Sequence, residues 1–464
     1  MVFSSITFLY YFLPILLLIY FVVPSKFKNL ILLLFSLLFY FYGEPTYIWI
    51  LLLSILVNYI GGLVIGKSKS KDLKKLYLIL TIIFDVGLLF YFKYTDFFIS
   101  NINNIVGSNL SLMHIVMPIG ISFFTFQTMS YVIDVYMGNV KYNKNILDFG
   151  TYVALFPQLV AGPIVRYKDI DDELKDRVHS FDNFSKGIER FVIGLGKKVL
   201  LANVLGEACS LLLGMNEVSV ISSWMNAIFY TLQIYFDFSG YSDMAIGLGY
   251  MFGFKFLENF NYPYIAKSIT DFWRRWHISL SSWLRDYVYI PLGGNRCSKI
   301  KWIRNIFVVW FLTGFWHGAD WNFILWGLYF AVLLLIEKLL LKDFLDKHKI
   351  FGHVYTLFLV IISFTIFNND LSNLIIQLKN MFFMNNISFI NNETIYYMRS
   401  YFVMFIISVI ACTPVIKYLY EKIKYKKKDE VFGWLKIIYL LIILVLCTAY
   451  LIDASFNPFL YFRF

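Results

Sequence analysis

The first part of the chain contains long runs of apolar side chains separated by short polar segments. The runs cover residues 7–24, 29–43, 47–66, 77–98 and 117–138. A helix needs roughly 20 apolar residues to cross a hydrocarbon core about 30 Å thick, and most of these runs approach that length, although 29–43 is short for a full crossing. The pattern therefore predicts membrane-spanning helices joined by short loops.

The polar segments between these runs alternate in charge. Lys26 and Lys28 follow the first run, lysines cluster in 67–75, and the segments 43–46 and 99–116 contain no lysine or arginine. Because loops rich in lysine and arginine stay in the cytoplasm, we expect the N-terminus outside and the lysine loops inside. The start of the chain has no basic residue before Lys26 and no small-residue cleavage site, so we expect a retained first span rather than a signal peptide.

Residues 147–165 interrupt this alternation. Basic residues flank the segment on both sides, and Pro157, Gly162 and Pro163 break its apolar run. Irregular backbone is tolerated at membrane depth only where protein or a water-filled cavity surrounds it. We therefore expect a re-entrant segment that lines an interior, followed by a helix on the cytoplasmic face at 171–195.

The remaining chain completes the prediction of an all-α polytopic membrane protein with about 10–11 transmembrane helices plus re-entrant and interfacial helices. Further spans are predicted at 199–214, 221–252, 351–369, 399–418 and 434–452, with a hairpin at 302–340, an Asn-rich loop at 368–398 and a cytoplasmic lysine run from Lys417 to Lys428. We expect one transmembrane domain over 1–464, with N-terminal spans at 1–138, a core that carries the candidate chemistry at 139–340 and C-terminal spans at 341–464.

The composition agrees with a membrane protein. Of 464 residues, 59% are apolar and 15% are charged, against roughly 45–50% and 25% in soluble domains. The net charge of +11 comes from short basic runs between apolar segments, where they set topology or meet anionic lipid, which argues against a nucleic-acid partner. The four cysteines lie far apart without metal-ligand spacing, so we expect free thiols and no metal site.

Polar residues interrupt the predicted span at 221–252. They include Gln233, Asp237, Ser239, Tyr241 and Asp243. Carboxylates at membrane depth are costly and usually mark a functional site or a satisfied polar network. Two interpretations remain open here, a structural hydrogen-bond network and a polar lining of a substrate path.

Residues 268–287 are predicted to form one amphipathic helix. Ser268 or Thr270 can cap it, with Asp271 in the first turn. Aromatic and aliphatic residues recur on one face, and polar residues form another. The first face holds Trp273, Trp276, Leu280, Trp283 and Tyr287, and the second holds Arg274, His277, Ser281 and Arg285. Such a helix is expected to lie in the membrane interface.

The arginines of this segment allow two interpretations. They can anchor the helix on lipid phosphates, or Arg274, Arg275 and Arg285 can bind the phosphates of coenzyme A or a phosphopantetheine arm, since guanidinium groups bind phosphate bidentately. Pro291 and Gly293-Gly294 then end the segment in a turn that basic residues keep cytoplasmic.

His317 lies at the predicted apex of the 302–340 hairpin, in Trp316-His317-Gly318-Ala319-Asp320. A helix that starts at Arg304 places it about 20 Å along the axis, near or past mid-membrane. Desolvation keeps such a histidine neutral, which suits a general base that takes a proton from an attacking hydroxyl. Alternatively, Gly314-x-x-x-Gly318 is a helix-packing pattern, and a buried histidine can simply bond across helices.

Nine segments form an ordered set of motifs along the chain. They are Met1-Val-Phe-Ser-Ser5, Met117-Pro-Ile-Gly-Ile-Ser-Phe123, Ser130-Tyr-Val-Ile-Asp-Val-Tyr136, Phe156-Pro-Gln-Leu-Val-Ala-Gly-Pro163, Tyr235-Phe-Asp-Phe-Ser-Gly-Tyr-Ser-Asp-Met-Ala-Ile-Gly247, Glu258-Asn-Phe-Asn-Tyr-Pro263, Asp271-Phe-Trp-Arg-Arg-Trp-His-Ile-Ser-Leu280, Leu292-Gly-Gly-Asn-Arg296 and Gly314-Phe-Trp-His-Gly318. In this order they resemble the bacterial branch of the membrane-bound O-acyltransferase superfamily that contains the alginate O-acetyltransferase membrane subunit. The resemblance covers most of the chain and is weakest from about 340 to 450.

This resemblance implies a helical shell around a thin centre, with a cytoplasmic opening for the donor and an opening towards the outside. It implies that His317 is the essential membrane histidine and that His277 belongs to the other signature segment. Relatives work beside an extracytoplasmic transferase, so the resemblance implies a partner protein. It also implies a polysaccharide as the acceptor and no bound cofactor.

We therefore expect a bacterial plasma-membrane O-acyltransferase that moves an acetyl group from a cytoplasmic thioester, acetyl-CoA or an acyl carrier protein, for O-acetylation of an extracellular polysaccharide. His317 would act as the base, and His277 with the arginines would hold the donor. Trp273 and Trp316 would wall the passage, supported by Asp237 and Asp243. The alternatives are D-alanyl transfer from a carrier protein to teichoic acid, a non-catalytic transporter of acyl groups or lipid-linked sugar, which the lack of an internal repeat disfavours, and an export scaffold.

Overall fold

The computed structural model describes residues 1–160, 162–426 and 429–453, and all regular structure within these ranges is helical. The all-α prediction is therefore confirmed. Three parts of the predictions lie outside the described residues, namely Ala161 of the re-entrant segment, the end of the lysine run and the C-terminal residues 454–464.

The first nine α-helices follow the apolar runs of the sequence. They are α1 (Leu13–Val22), α2 (Lys28–Gly43), α3 (Ile48–Lys67), α4 (Lys71–Val106), α5 (Ile121–Met137), α6 (Ile146–Ala154), α7 (Phe156–Leu159), α8 (Tyr167–Lys175) and α9 (Phe181–Gly196). A π-helical turn, Phe8–Phe12, precedes α1.

Twelve α-helices follow in the described part of the chain. They are α10 (Asn203–Leu213), α11 (Val220–Phe252), α12 (Ile269–Trp273), α13 (Ile278–Leu284), α14 (Lys299–His317), α15 (Trp321–Ile336), α16 (Lys342–Lys347), α17 (Lys349–Asn368), α18 (Leu371–Met381), α19 (Asn392–Ala411), α20 (Val415–Lys426) and α21 (Asp429–Asp453). Short π-helical turns occupy Lys197–Ala202, Arg285–Tyr289 and Glu337–Leu341.

These helices form two compact units. One contains Met1–Phe191 and Met244–Leu257, and the other contains Val192–Asp243 and Glu258–Phe464. Helices α9 and α11 contribute residues to both units. All the predicted site residues belong to the second unit.

Aromatic side chains fill the interior of the first unit. The rings of Phe3, Phe8, Phe39 and Phe156 pack together. A small residue lets α3 approach α5, since a Cβ atom at Gly62 would lie 2.4 Å from the Tyr131 ring. Close packing of this kind stabilises the unit by dispersion contacts and by excluding lipid and water.

The predicted re-entrant segment consists of two short helices and irregular backbone. α6 ends at Ala154, α7 begins at Phe156, and Ile164 and Val165 beyond them are buried. The Tyr152 hydroxyl lies 3.1 Å from the Val165 carbonyl oxygen and 3.0 Å from that of Gln127, which gives the irregular backbone a polar partner. Protein therefore surrounds the irregular backbone, as the sequence predicts.

Within the described ranges, seven helical stretches are long and apolar enough to cross a membrane. They are Ser25–Gly43, Ile48–Lys67, Lys71–Val106, Trp321–Lys347, Lys349–Asn368, Asn392–Ala411 and Gly433–Asp453. They confirm a polytopic membrane protein. α11 and α14 are also long, but α11 has a polar interior and α14 begins with basic residues. The total of about 10–11 transmembrane helices stays a prediction.

The Asn-rich segment at 368–398 is not a continuous loop, because it contains α18. Asp370 caps this helix by accepting a hydrogen bond from the Asn373 backbone N–H at 2.9 Å. Leu374 and Met381 are buried on its inner face. The high asparagine content hid both the cap and the apolar face.

Candidate functional site

The structure brings both predicted histidines against one tryptophan. His277 is 0% exposed and His317 is 3% exposed. The Trp316 ring lies 4.9 Å from the His317 ring and 6.1 Å from the His277 ring, measured between ring centres. The two signature segments therefore meet in one buried cluster.

His317 is the last residue of α14, and its position depends on the packing of α14 against α15. A Cβ atom at Gly314 would lie 2.2 Å from the Phe323 carbonyl oxygen, and one at Gly327 would lie 2.2 Å from the Trp310 carbonyl oxygen. The helices therefore touch backbone to backbone. The predicted hairpin is confirmed, and Gly314 has the helix-packing role that was one of the two interpretations of this segment.

Aromatic rings enclose His317. Trp326 lies 5.1 Å and Phe367 5.3 Å from its ring, both in edge-on geometry. Trp273 packs 5.7 Å from Trp326 and so lies one ring away from His317. Trp316 and Trp273 thus belong to the aromatic enclosure around His317, while their role in walling a substrate passage stays a prediction.

Two indole N–H groups in this wall are hydrogen-bond donors without an acceptor. Nε1 of Trp273 and Nε1 of Trp326 are buried, and neither has a hydrogen-bond partner among the described residues. A buried donor without an acceptor is unfavourable. The aromatic enclosure therefore combines apolar surface with two N–H groups that can donate a hydrogen bond to a carbonyl oxygen.

The predicted continuous helix over 268–287 is wrong, because the chain breaks between α12 and α13. α12 ends at Trp273, and His277 precedes α13 at its N-cap position with φ 45° and ψ 54°, in the left-handed region. His277 is fully buried, whereas Arg274 and Arg285 are exposed. The predicted polar face of Arg274, His277 and Arg285 therefore does not exist.

The break is stabilised by the preceding signature segment, Glu258-Asn-Phe-Asn-Tyr-Pro263. The Asn261 backbone N–H donates to the Arg275 carbonyl at 2.9 Å, and the Ile278 N–H donates to the Asn259 carbonyl at 3.0 Å. The Asn259 side-chain oxygen lies 3.1 Å from Nδ1 of His277. These long-range bonds replace the helical ones that the break removes.

Burial controls the charge of His277, which lies outside the seven candidate spans. Burial lowers the pKa of its imidazole to about 3. Its ring packs edge-on against Phe238 at 4.7 Å. His277 is therefore neutral at physiological pH.

The predicted donor-binding arginines are engaged to different extents. Arg275 forms an ion pair with Asp271 at 2.9 Å and also donates to the Asn261 carbonyl at 3.3 Å. Arg285 pairs with Asp286 at 2.7 Å. Arg274 is exposed. Their role in binding a phosphate-bearing donor stays a prediction.

The carboxylates of α11 pair with two consecutive lysines. Lys198 Nζ lies 2.5 Å from Asp237 Oδ1, and Lys197 Nζ lies 2.6 Å from Asp243 Oδ2. Both lysines begin the π-helical turn Lys197–Ala202, whose wider winding carries them towards α11. A buried charge needs a partner of this kind. These contacts favour the structural network, while a role of Asp237 and Asp243 in lining a passage stays a prediction.

Glu337 is a residue that sequence analysis missed. Its carboxylate accepts hydrogen bonds from the backbone N–H groups of Ile269 at 2.5 Å and Thr270 at 3.0 Å, and from the Thr270 hydroxyl at 3.0 Å. Ser268 caps the same helix through the Asp271 N–H at 3.0 Å, as predicted. Glu337 thus binds the start of α12 from 67 or 68 residues away, a separation that no local pattern reveals.

The described residues contain no group of three or more histidine, cysteine or acidic side chains placed to hold a metal ion. The cluster brings together two buried imidazoles in an aromatic enclosure. Neutral imidazole can accept a proton from a hydroxyl group.

Comparison with known proteins shows that the part of the chain that contains this site matches one family. The family described as MBOAT, membrane-bound O-acyltransferase family, matches residues 37–368, which include every predicted site residue. Probable alginate O-acetylase AlgI from Azotobacter vinelandii is 43% identical over 80% of this chain and 75% of that protein. Peptidoglycan O-acetyltransferase from Helicobacter pylori is 34% identical over 100% of this chain and 98% of that protein. Teichoic acid D-alanyltransferase from Bacillus subtilis is 33% identical over 47% of this chain and 58% of that protein.

Proposed function

Since the chain belongs to the membrane-bound O-acyltransferase family and is a multi-pass membrane acyltransferase, we propose that it moves an acetyl group from a cytoplasmic thioester across the membrane for O-acetylation of an extracellular polysaccharide. The relatives that cover most of the chain support acetyl as the group, because both are named for O-acetylation. Alginate and peptidoglycan differ as acceptors, so the proposal extends to the class of polysaccharide and not to one polymer.

The observation that carries this proposal is the burial of His277 and His317 against the same Trp316 ring. His317 acts as the general base. It takes the proton of the acceptor hydroxyl while that oxygen attacks the thioester carbonyl, so that the new C–O bond forms as the C–S bond breaks. The thiolate leaves and receives the proton. Exclusion of water by the aromatic wall protects the thioester from hydrolysis.

The donor is acetyl-CoA or an acyl carrier thioester, and the protein needs no bound cofactor. Arg274, Arg275 and Arg285 receive its phosphates at the cytoplasmic side, and His277 holds the arm that enters the wall. The exposure of Arg274 and Arg285 supports access by a large soluble donor. Trp273 and Trp316 line the passage, and Asp237 and Asp243 support it through their lysine pairs.

The protein works in the bacterial cell membrane beside an extracytoplasmic transferase that completes delivery to the polymer. The bacterial origin of the relatives supports this location. Transfer of D-alanine to teichoic acid is the alternative, and it is favoured by matches that cover about half of this chain, such as the one to the Bacillus subtilis protein. Family membership argues against a non-catalytic transporter or scaffold.

The test replaces His317 in cells that make the modified polymer. We expect His317→Ala to reduce the acetyl esters of the surface polysaccharide by about 100-fold or more, because a general base contributes 10²–10⁴-fold to rate. The measurement is acetate released by mild base, with the membrane abundance of each variant determined in parallel. The control is His348→Ala, since His348 is exposed.

Normal acetylation in His317→Ala would exclude His317 as the base. Loss of D-alanyl esters with unchanged acetyl esters would move the assignment to teichoic acid. Equal losses in His317→Ala and His348→Ala would show that the phenotype does not depend on the site.

A further inference from the structure

The side chain and backbone of Asn259 bind three consecutive residues around His277. Its side-chain oxygen lies 3.1 Å from Nδ1 of His277 and accepts from the Ser279 hydroxyl at 2.9 Å and the Ser279 backbone N–H at 3.3 Å. Its backbone carbonyl accepts from the Ile278 N–H at 3.0 Å. Asn259 is 0% exposed, so water does not compete for these hydrogen bonds.

The Ser279 backbone N–H fixes which end of the Asn259 amide faces His277. An N–H group can only donate, so the atom that it meets must be the amide oxygen. The opposite end, Nδ2, then donates to the Ser242 hydroxyl at 3.0 Å. The contacts at both ends of the amide group therefore fit the same orientation of the Asn259 side chain.

This orientation fixes the tautomer of His277. The Ser279 hydroxyl lies 3.5 Å from Nδ1 of His277 but donates its proton to the Asn259 oxygen at the shorter distance of 2.9 Å. The Asn259 oxygen cannot donate, so the Nδ1 atom that faces it must carry the proton. A neutral imidazole has one N–H, and Nε2 is therefore a bare acceptor. Nε2 is buried and has no hydrogen-bond partner within the described part of the chain.

We propose that Asn259 is a positioning residue that holds His277 in the Nδ1–H tautomer, so that Nε2 accepts a hydrogen bond from an O–H or N–H group of the substrate. This inference rests on the proposed function, because it assigns the hydrogen-bonding character of one histidine of that site. It refines the holding role of His277. A neutral acceptor binds the amide N–H of a thioester arm or the hydroxyl of an acceptor, and it does not bind a phosphate.

The backbone conformation around His277 also supports a functional role for this arrangement of Asn259 and His277. His277 and Tyr262 both adopt positive φ values, 45° and 46°, which side-chain-bearing residues rarely do. Tyr262 directly follows Asn261, and His277 lies between Arg275 and Ile278, the two residues that bond to Asn261 and Asn259. Such conformations persist only where the surrounding contacts enforce them, and they cluster at functional sites.

The test reads the tautomer directly by nitrogen NMR. The full-length protein is labelled with ¹⁵N-histidine and purified in detergent, and the His277 signals are identified among its six histidines by their loss in His277→Gln. We expect a protonated Nδ1 and an unprotonated Nε2 in the wild type. A protonated Nε2 would overturn the proposal.

Two substitutions of Asn259 separate positioning from simple packing. Asn259→Asp keeps an oxygen for Nδ1–H and should preserve the tautomer, whereas Asn259→Leu removes the acceptor and should yield a mixture of tautomers. In cells, Asn259→Leu should lower acetyl esters by about tenfold or more at equal protein abundance, with Asn259→Asp closer to the wild type. Retention of the Nδ1–H tautomer in Asn259→Leu would contradict the assigned role.

Ser242→Ala is the matched control, because it removes the acceptor of the Asn259 N–H and leaves the Asn259 oxygen in place. The tautomer should persist in this variant. Addition of acetyl-CoA then distinguishes the two substrate sources. A shift of the Nε2 signal assigns the bond to the donor arm. A signal that stays unchanged with acetyl-CoA and also with an acetylated acyl carrier protein, together with loss of acetylation in Asn259→Leu, assigns the bond to the acceptor hydroxyl. Because NMR does not require turnover, the tautomer stands or falls independently of the proposed function.

Discussion

Gly314 and Gly327 determine how closely α14 and α15 approach, and so where His317 lies. Each glycine faces a backbone carbonyl of the opposite helix, and Gly314 also faces the Gly327 Cα atom at 3.2 Å from an added Cβ. A carbonyl oxygen in a helix cannot move aside as a side chain can. The position of the histidine therefore depends on two residues that carry no chemistry.

We expect Gly314→Ala to separate the two helices and displace His317. The added methyl group would lie 2.2 Å from the Phe323 carbonyl oxygen, and overpacking of this kind typically lowers the free energy of unfolding by about 1–3 kcal/mol. Thermal unfolding of the detergent-solubilised protein should show a lower midpoint, and acetyl esters in cells should fall with it.

Gly87→Ala is the matched control, because Gly87 also lies within a helix but has no atom within 4 Å of an added Cβ. Alanine should leave the midpoint unchanged or raise it, since alanine is the better helix former. Equal effects of the two substitutions would contradict the close-approach argument.

The candidate site residues were easier to predict from the sequence than the residues that hold them in position. His317 stands out as a polar residue in an apolar run, and Ser268 as a helix cap, and the structure places both as expected. His277 was recognised as a candidate, but it is buried at a helix break and not on the predicted polar face. Asn259 was missed as a support, because about 20 residues of chain, with α12 among them, separate it from its contacts at 277–279. Periodicity describes regular elements, so it gives no signal for such contacts.

At the scale of elements, α12 depends on the segment that follows α15. α12 has only five residues, and its first backbone N–H groups need partners from outside the helix. Glu337 lies in a π-helical turn, is 3% exposed, and accepts hydrogen bonds from two of these N–H groups. The signature arginines and tryptophans follow directly, so this contact sets the start of the segment.

We expect Glu337→Ala to destabilise the protein by about 1–3 kcal/mol, because two buried N–H groups would lose their acceptor. Glu337→Gln should have a smaller effect, since one amide oxygen can still accept. Thermal unfolding measures both. Asp72→Ala is the control, because Asp72 is an exposed acid in the first turn of α4. Similar midpoints for Glu337→Ala and Asp72→Ala would refute the specific contact.

The amphipathic pattern over 268–287 shows where prediction of elements fails. Trp273, Trp276, Leu280 and Trp283 are all buried, as their spacing indicates. The pattern is nevertheless compatible with two short helices, because three- and four-residue steps continue across a break. Only the long-range bonds from Asn259 and Asn261 distinguish the two cases, and they are not visible in local spacing.

At the scale of the whole molecule, the apolar runs predicted the fold class and most spans, since crossing a bilayer demands both length and apolar character. The last two candidate spans, Asn392–Ala411 and Gly433–Asp453, have only 11% and 6% of their apolar windows buried inside the protein. Lipid or another chain must cover such surfaces. Their orientation follows from charge, because lysines follow α19 and lysines also precede α17.

The predicted topology places the basic turn after α13 in the cytoplasm and the segment between α18 and α19 outside. Lys301→Cys and Asn386→Cys test this arrangement, because both side chains are exposed. Cys297 is first replaced by serine, since Cys209, Cys412 and Cys447 are buried and only Cys297 is partly exposed. A membrane-impermeant maleimide should label Asn386→Cys on intact spheroplasts and Lys301→Cys only after permeabilisation. The reverse pattern would show that the predicted topology is inverted. The arginines of the signature segment would then lie outside the cell, where they cannot meet a cytoplasmic thioester. Labelling of both positions on intact spheroplasts would remove the basic turn from the cytoplasm, and the proposed path of the acetyl group with it.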